Sequence, residues 1–115
     1  MATERRRRER KHIVYYLAVF DRTTEKLIGH VVDITPEGLM VMSEEPIEIN
    51  KQYDLKIQLF SLWTNTSDIE FNATCVWGKP SSNIDNYESG FKIENISQND
   101  IDTIKKLVEI FGFEH

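Results

Sequence analysis

The sequence predicts a mainly β domain in which six antiparallel strands form a small barrel or sandwich and one α-helix closes the chain at its C-terminal end. Three observations carry this reading. Runs of β-branched, aromatic and aliphatic residues alternate with polar ones at the two-residue period of a strand. Stretches rich in Gly, Pro, Asn and Asp separate these runs. Helical spacing begins only after Asn95, where Ile101, Ile104, Leu107, Val108 and Phe111 recur at three- and four-residue intervals. Half-apolar strands and an amphipathic helix must bury their inner faces against one another, and a closed or doubled sheet with the helix packed on it is the simplest solution.

Ile13 to Phe20, Ile-Val-Tyr-Tyr-Leu-Ala-Val-Phe, is the first strand, apolar on much of both faces. A polar turn at Asp21 to Lys26 joins it to a second strand, Leu27 to Ile34. Asp33 to Gly38, Asp-Ile-Thr-Pro-Glu-Gly, predicts a tight turn that interrupts the sheet before a short strand from Leu39 to Met42. Glu44, Glu45 and Pro46 break the pattern, and Ile47 to Gln52 reads as a loop. Tyr53, Leu55, Ile57 and Leu59 then share one face of a fourth strand. After a loop at Trp63 to Asp68, Ile69, Phe71, Ala73, Cys75 and Trp77 alternate with Glu70, Asn72, Thr74 and Val76, which places Trp77 on the same face as Cys75. Gly78 to Asn86 reads as a flexible connection, and a last strand, Tyr87 to Ile93, turns Phe91 and Ile93 inward. Ser97 and Asp100 have the spacing of a capping box, with Asp where Glu is usual, and open a helix over residues 98–111 that Gly112 ends.

The 115 residues suffice for one core and not for two of similar size. At 40% hydrophobic residues the composition is that of an ordinary globular domain. No run approaches the ~18 consecutive apolar residues that a membrane span needs. The basic N-terminus leads into a strand pattern and not into a signal-peptide core with a small-residue cleavage site, so a cytoplasmic location is expected. The single cysteine, Cys75, cannot form an internal disulfide, agrees with a reducing compartment and reads as a core filler.

Charge is distributed unevenly. The chain carries 14 Lys+Arg against 19 Asp+Glu, a net −5, yet residues 1–12 hold six bases and two acids, a net +4 that leaves −9 for everything after them. A flexible basic arm of residues 1–12 on an acidic domain of residues 13–115 points to a polyanionic partner or to a solvated tail. The acidity of the body argues against nucleic acid as that partner. No catalytic constellation assembles. His12, His30 and His115 have no ligand spacing with one another or with Cys75, so neither a metal nor a cofactor is expected. A nucleophile elbow and a phosphate-binding Gly-rich loop are both missing, which leaves binding as the chemistry to seek.

Two spacings are specific enough to use. Arg6 and Arg10 give Arg-x-x-x-Arg, with Arg5 directly before the first; Asp33, Thr35 and Gly38 give Asp-x-Thr-x-x-Gly about one hairpin downstream. In this order and at this separation they resemble the signature of the PilZ domain family, receptors for the bacterial second messenger cyclic di-GMP, which reads Arg-x-x-x-Arg followed by (Asp/Asn)-x-Ser-x-x-Gly. The likeness extends to Val76-Trp77 near a strand end, to Gly90-Phe91 in the last strand, to the Asn95-Ile96-Ser97 that follows, and to the C-terminal helix. It implies a six-stranded antiparallel β-barrel that binds its ligand at the surface. By resemblance, Arg6 and Arg10 hold phosphates and guanine faces, and Asp33, Thr35 and Gly38 form the barrel-side half of the site. An arginine in the position of Arg5 goes, in the family, with binding a stacked ligand pair. The sequence departs from the pattern at Thr35, which keeps the hydroxyl of Ser and adds a methyl that stiffens χ1.

These residue types suit that ligand. A guanidinium is a planar fork that bonds phosphate or guanine O6/N7 bidentately and stacks on a base. A carboxylate accepts from the donor edge of guanine, a hydroxyl adds a donor or acceptor, and glycine allows a turn or a close approach. The expectation is a non-catalytic bacterial receptor, monomeric or weakly dimeric, whose arm orders on cyclic di-GMP and presents a new surface to a protein effector. The alternative is an adaptor of the same fold that acts through protein contacts without the nucleotide. Trp63 and Trp77 read as core or hairpin-packing residues and are assigned to no site.

Overall fold

A computed structural model describes residues 17–59, 68–82 and 85–111. The predicted arm, with Arg5, Arg6 and Arg10, lies outside the described residues, as do residues 13–16 of the first predicted strand, Trp63 and Gly112. The elements are β1 (Ala18–Asp21), β2 (Lys26–Thr35), β3 (Gly38–Ser43), β4 (Gln52–Ile57), β5 (Ile69–Pro80), β6 (Tyr87–Ile96) and α1 (Gln98–Phe111). Every pairing is antiparallel, and the order β1-β2-β3-β6-β5-β4 closes through β1 and β4 into a barrel, the first of the two closures open to these strands. No helix among the described residues is long and apolar enough to cross a membrane.

The inner face is the apolar set that alternation selects. Val19, Val31, Ile34, Leu39, Val41, Leu55, Ile57, Ile69, Phe71, Ala73, Cys75, Phe91 and Ile93 form one buried cluster. Burial pushes the Cys75 thiol above its ordinary value, so this side chain packs as a small hydrophobe. Ser97 caps α1: its Oγ accepts the Asp100 N–H at 3.1 Å. Asp100 does not reach back to complete the box; its Oδ2 accepts the Glu70 N–H at 3.3 Å and ties the start of α1 to β5. One face of α1 then buries Ile104 and Leu107 completely, against β2 and β5.

Besides β6, which runs on past its predicted end at Ile93 to Ile96, two segments differ from the sequence reading. The turn predicted over Asp33 to Gly38 is only two residues wide, because Asp33, Ile34 and Thr35 stay in β2 and pair with Met40, Leu39 and Gly38. Gly78, Lys79 and Pro80, which read as flexible connection, continue β5 and pair with Ser89, Glu88 and Tyr87. Their composition favours turns locally, and the pairing with β6 overrides it.

Register shifts at β-bulges decide which face each side chain takes. In β2 the register against β3 shifts between Val31 and Asp33. With Val31 inside, strict alternation would send Asp33 inward and Ile34 outward; the extra residue reverses this, so Ile34 is buried and Asp33 and Thr35 are half-exposed. In β5 the register against β6 shifts between Cys75 and Trp77, and Trp77 leaves the face of Cys75. Cys75 is fully buried, whereas Val76 and Trp77 are 47% and 38% exposed. Trp77 is thus not the core residue that its spacing implied.

The packing of α1 makes one quantitative expectation. Leu107→Ala removes a buried side chain and should cost about 2–5 kcal/mol, while loss of the cap in Ser97→Ala should cost about 1 kcal/mol. Urea unfolding of both variants measures this, and equal small losses would contradict the docking of α1.

Candidate functional site

The second motif folds into a turn that its own side chains hold. Thr35 Oγ1 accepts the backbone N–H groups of Glu37 at 3.1 Å and Gly38 at 3.2 Å and donates to the Gly38 carbonyl at 3.4 Å. Either Ser or Thr supplies that hydroxyl, so the departure at Thr35 leaves the turn intact. Gly38 serves close approach and not a left-handed conformation: its φ lies outside that region, and a Cβ there would stand 2.6 Å from the Phe91 carbonyl oxygen. The Glu37 carbonyl accepts the Ile93 N–H at 2.9 Å, which fastens the turn to β6. Asp33 Oδ1 accepts the Ile34 N–H at 2.9 Å.

Register then aligns the outer face in rows across β2, β3, β6 and β5. Asp33 pairs with Met40, Met40 with Gly90, and Gly90 with Trp77. Thr35, Gly38, Lys92 and Thr74 form the next row. The indole of Trp77 lies directly on Gly90, in space that a Cβ at position 90 would fill. The two bulges therefore bring Asp33 and Trp77 to opposite ends of one row, on the side of the sheet away from the core.

Between them is an open cavity of about 270 Å³ lined by Asp33, Thr35, Gly38, Met40, Val76, Trp77, Gly90 and Phe91. All three barrel-side residues of the sequence motif line it. A larger cavity of about 590 Å³ lies beside the next row, at His30 and Met42, and includes Glu44 and Glu45. The smaller one is the candidate site because the motif side chains converge there and because an apolar wall faces a carboxylate across it. Such an arrangement takes a planar, amphipathic group: an aromatic face to stack on and an acceptor for its donor edge. Among the described residues no group of three metal-ligating side chains comes together.

The chain matches the PilZ domain over residues 4–109, from the arginine run into α1. It belongs to the PilZ domain family. The PilZ domain of YcgR from Escherichia coli, solved with cyclic di-GMP, has the same fold, with a TM-score of 0.66 at 10% identity over 86% of this chain and 84% of that one. The Bacillus subtilis inhibitor of motility MotI/DgrA gives a TM-score of 0.68 at 15% identity over 82% of this chain. This chain spans only 46% of that protein. No curated protein sequence matches.

Trp77 is the cavity residue that sequence reasoning missed. Its signal was available as the Val76-Trp77 pair near a strand end, but strict alternation assigned it to the core. Gly90 was legible only as part of Gly90-Phe91, with no sign of what covers it.

The contact between Trp77 and Gly90 is testable by a mutant cycle. Gly90→Ala drives a methyl into the indole and should cost about 1–3 kcal/mol; in a Trp77→Ala background most of that cost should vanish. Urea unfolding of the four proteins gives the coupling, and additive losses would show that the ring does not sit on Gly90.

Proposed function

We propose that this chain is a cyclic di-GMP receptor in which the arm supplies Arg5, Arg6 and Arg10 and the barrel supplies Asp33, Thr35, Gly38 and Trp77. The observation that carries the reading is the convergence of Asp33, Thr35 and Gly38 on one cavity beside an exposed tryptophan, in a chain whose family match includes the arginines. Guanine presents N1–H and N2–H donors to the Asp33 carboxylate, whereas adenine has no donor pair on that edge. Trp77 offers a surface for the base plane. The phosphodiesters require cations that this acidic barrel supplies sparsely, and the guanidinium forks of the arm meet that need.

The arm is within reach. The Leu17 carbonyl accepts the Val31 N–H at 2.9 Å, so the described chain starts on the strand next to β2, near Asp33. Arg10 is seven residues earlier, which allows up to ~24 Å of extended chain. Closure of the arm over the ligand would then order it and change the surface that an effector reads. Nothing in this scheme calls for a catalytic group.

A second reading, a protein-binding adaptor without the nucleotide, draws on two observations. Thr35 commits its hydroxyl to the turn, and a chain of this fold is known as an inhibitor of motility. Isothermal titration with cyclic di-GMP separates the two. The receptor reading expects the unmodified chain to bind and Arg10→Ala and Asp33→Ala each to lose ~10- to 100-fold, the worth of a charge-assisted contact of about 1.5–3 kcal/mol. Equal weak binding by all three would favour the adaptor.

A further inference from the structure

Two lysines of the barrel stand in the rows that flank Asp33-Met40-Gly90-Trp77, and among the described residues neither makes a close ion pair, although each has a carboxylate at hand. Lys92 stands in the row of Thr35 and Gly38; its Cα is 3.9 Å from where a Gly38 Cβ would be, so the glycine leaves its flank open. Glu94, two residues along the same outer face, is the obvious counter-charge. It accepts instead from the Thr74 hydroxyl at 2.7 Å and the Gln52 amide at 3.0 Å, and forms no close ion pair with Lys92. These hydrogen bonds, and to a lesser degree the charge of Lys92, hold its carboxyl below the ordinary range, so it stays ionised where it is. Lys79 stands in the opposite flanking row, with Glu88 as its cross-strand partner. It too declines the ion pair, and its Nζ lies 5.9 Å from the centroid of the Trp77 ring.

Three other cations of the barrel are paired. Arg22, Lys51 and Lys56 bond to Glu70, Glu48 and Asp68. Lys26, at the far end of β2 from Thr35, is the remaining described barrel cation without an ion pair. Two of the three unpaired ammonium groups on the described strands therefore bracket one row, Asp33-Met40-Gly90-Trp77. Along β6, positions 88 and 92 are four residues apart, about 13 Å, and the long lysine stems can close that span inward over a compact ligand.

We infer that Lys79 and Lys92 are barrel-borne phosphate contacts, one on each side of the base stacked at Trp77. This rests on the receptor reading above and extends it: the arm is not the sole source of positive charge, and the barrel alone retains a weak phosphate clamp. A lysine is suited to this role as a mobile point charge that needs no fixed fork geometry. Lys79 holds its ammonium over the indole, and its flexible stem lets the group swing aside to meet a phosphate when a nucleoside stacks there.

The experiment is isothermal titration of cyclic di-GMP into the full chain and its Lys79→Met, Lys92→Met, double Met, Lys26→Met and Arg10→Ala variants, each at ~50 and ~300 mM salt. Methionine keeps an unbranched stem and removes the charge, and far-UV circular dichroism with a thermal melt reports the fold. Each single variant should bind about three- to tenfold more weakly at low salt, the double variant by roughly the product, and Lys26→Met as the unmodified chain does. The salt dependence should flatten in the double variant, and Lys92→Arg should restore most of the affinity. A double variant that binds like the unmodified chain, while Arg10→Ala still weakens binding, overturns the lysine assignment and leaves the receptor reading standing. An equal loss in Lys26→Met would show a general charge effect and overturn it as well. Absence of binding by the unmodified chain, with its fold intact, removes both readings.

Discussion

Two inserted residues, one in β2 and one in β5, determine what the row from Asp33 to Trp77 shows to solvent. A strand presents its residues to alternate faces, so a single extra residue exchanges inside for outside in everything beyond it. In β2 the exchange buries Ile34 and turns Asp33 and Thr35 out. In β5 it leaves Cys75 in the core and puts Trp77 on the surface. Because both shifts fall on the same row, opposite Met40 and Gly90, a carboxylate and an indole face each other across a cavity. Remove either shift, and the core must accept a charge or the cavity loses its aromatic wall.

Glycine completes this geometry twice, by absence. Gly38 lets the motif turn come down on the Phe91 carbonyl, and Gly90 gives the Trp77 ring a place to lie. Around them the barrel is an ordinary buried cluster, sealed on β2 and β5 by Ile104 and Leu107 of α1. The barrel thus fixes Asp33 and Trp77 at the two ends of one row, with Lys79 and Lys92 in the rows beside it. In the proposed receptor the arginine-rich segment supplies what the barrel lacks, a high density of positive charge.

Much of the fold was legible in the sequence because alternation and turn composition are local signals. The apolar positions of β3, β4 and the first half of β5 followed directly, and the Ser97 cap and the helical spacing announced α1. The motif turn was legible as a motif, since Asp33, Thr35 and Gly38 are fixed by spacing whatever face they take. What escaped were properties that depend on a partner strand. Gly78, Lys79 and Pro80 look like a loop until β6 pairs with them, and Trp77 looks like core until a register shift turns it out. The vacancy over Gly90 exists only once β5 and β6 pair in their shifted register.

The central claim is that the row from Asp33 to Trp77 is a binding surface for a guanine nucleotide carried by cyclic di-GMP. Amide and indole nuclear magnetic resonance spectra of the isotope-labelled chain, recorded as cyclic di-GMP is added, test it residue by residue. The account predicts that the Trp77 indole N–H and the amides of Asp33, Thr35, Gly38 and Gly90 shift together and saturate with one affinity, while Lys26 and the exposed face of α1 stay in place. Saturating ligand that leaves those signals unmoved, or that moves instead the residues around His30, Glu44 and Glu45, would contradict it.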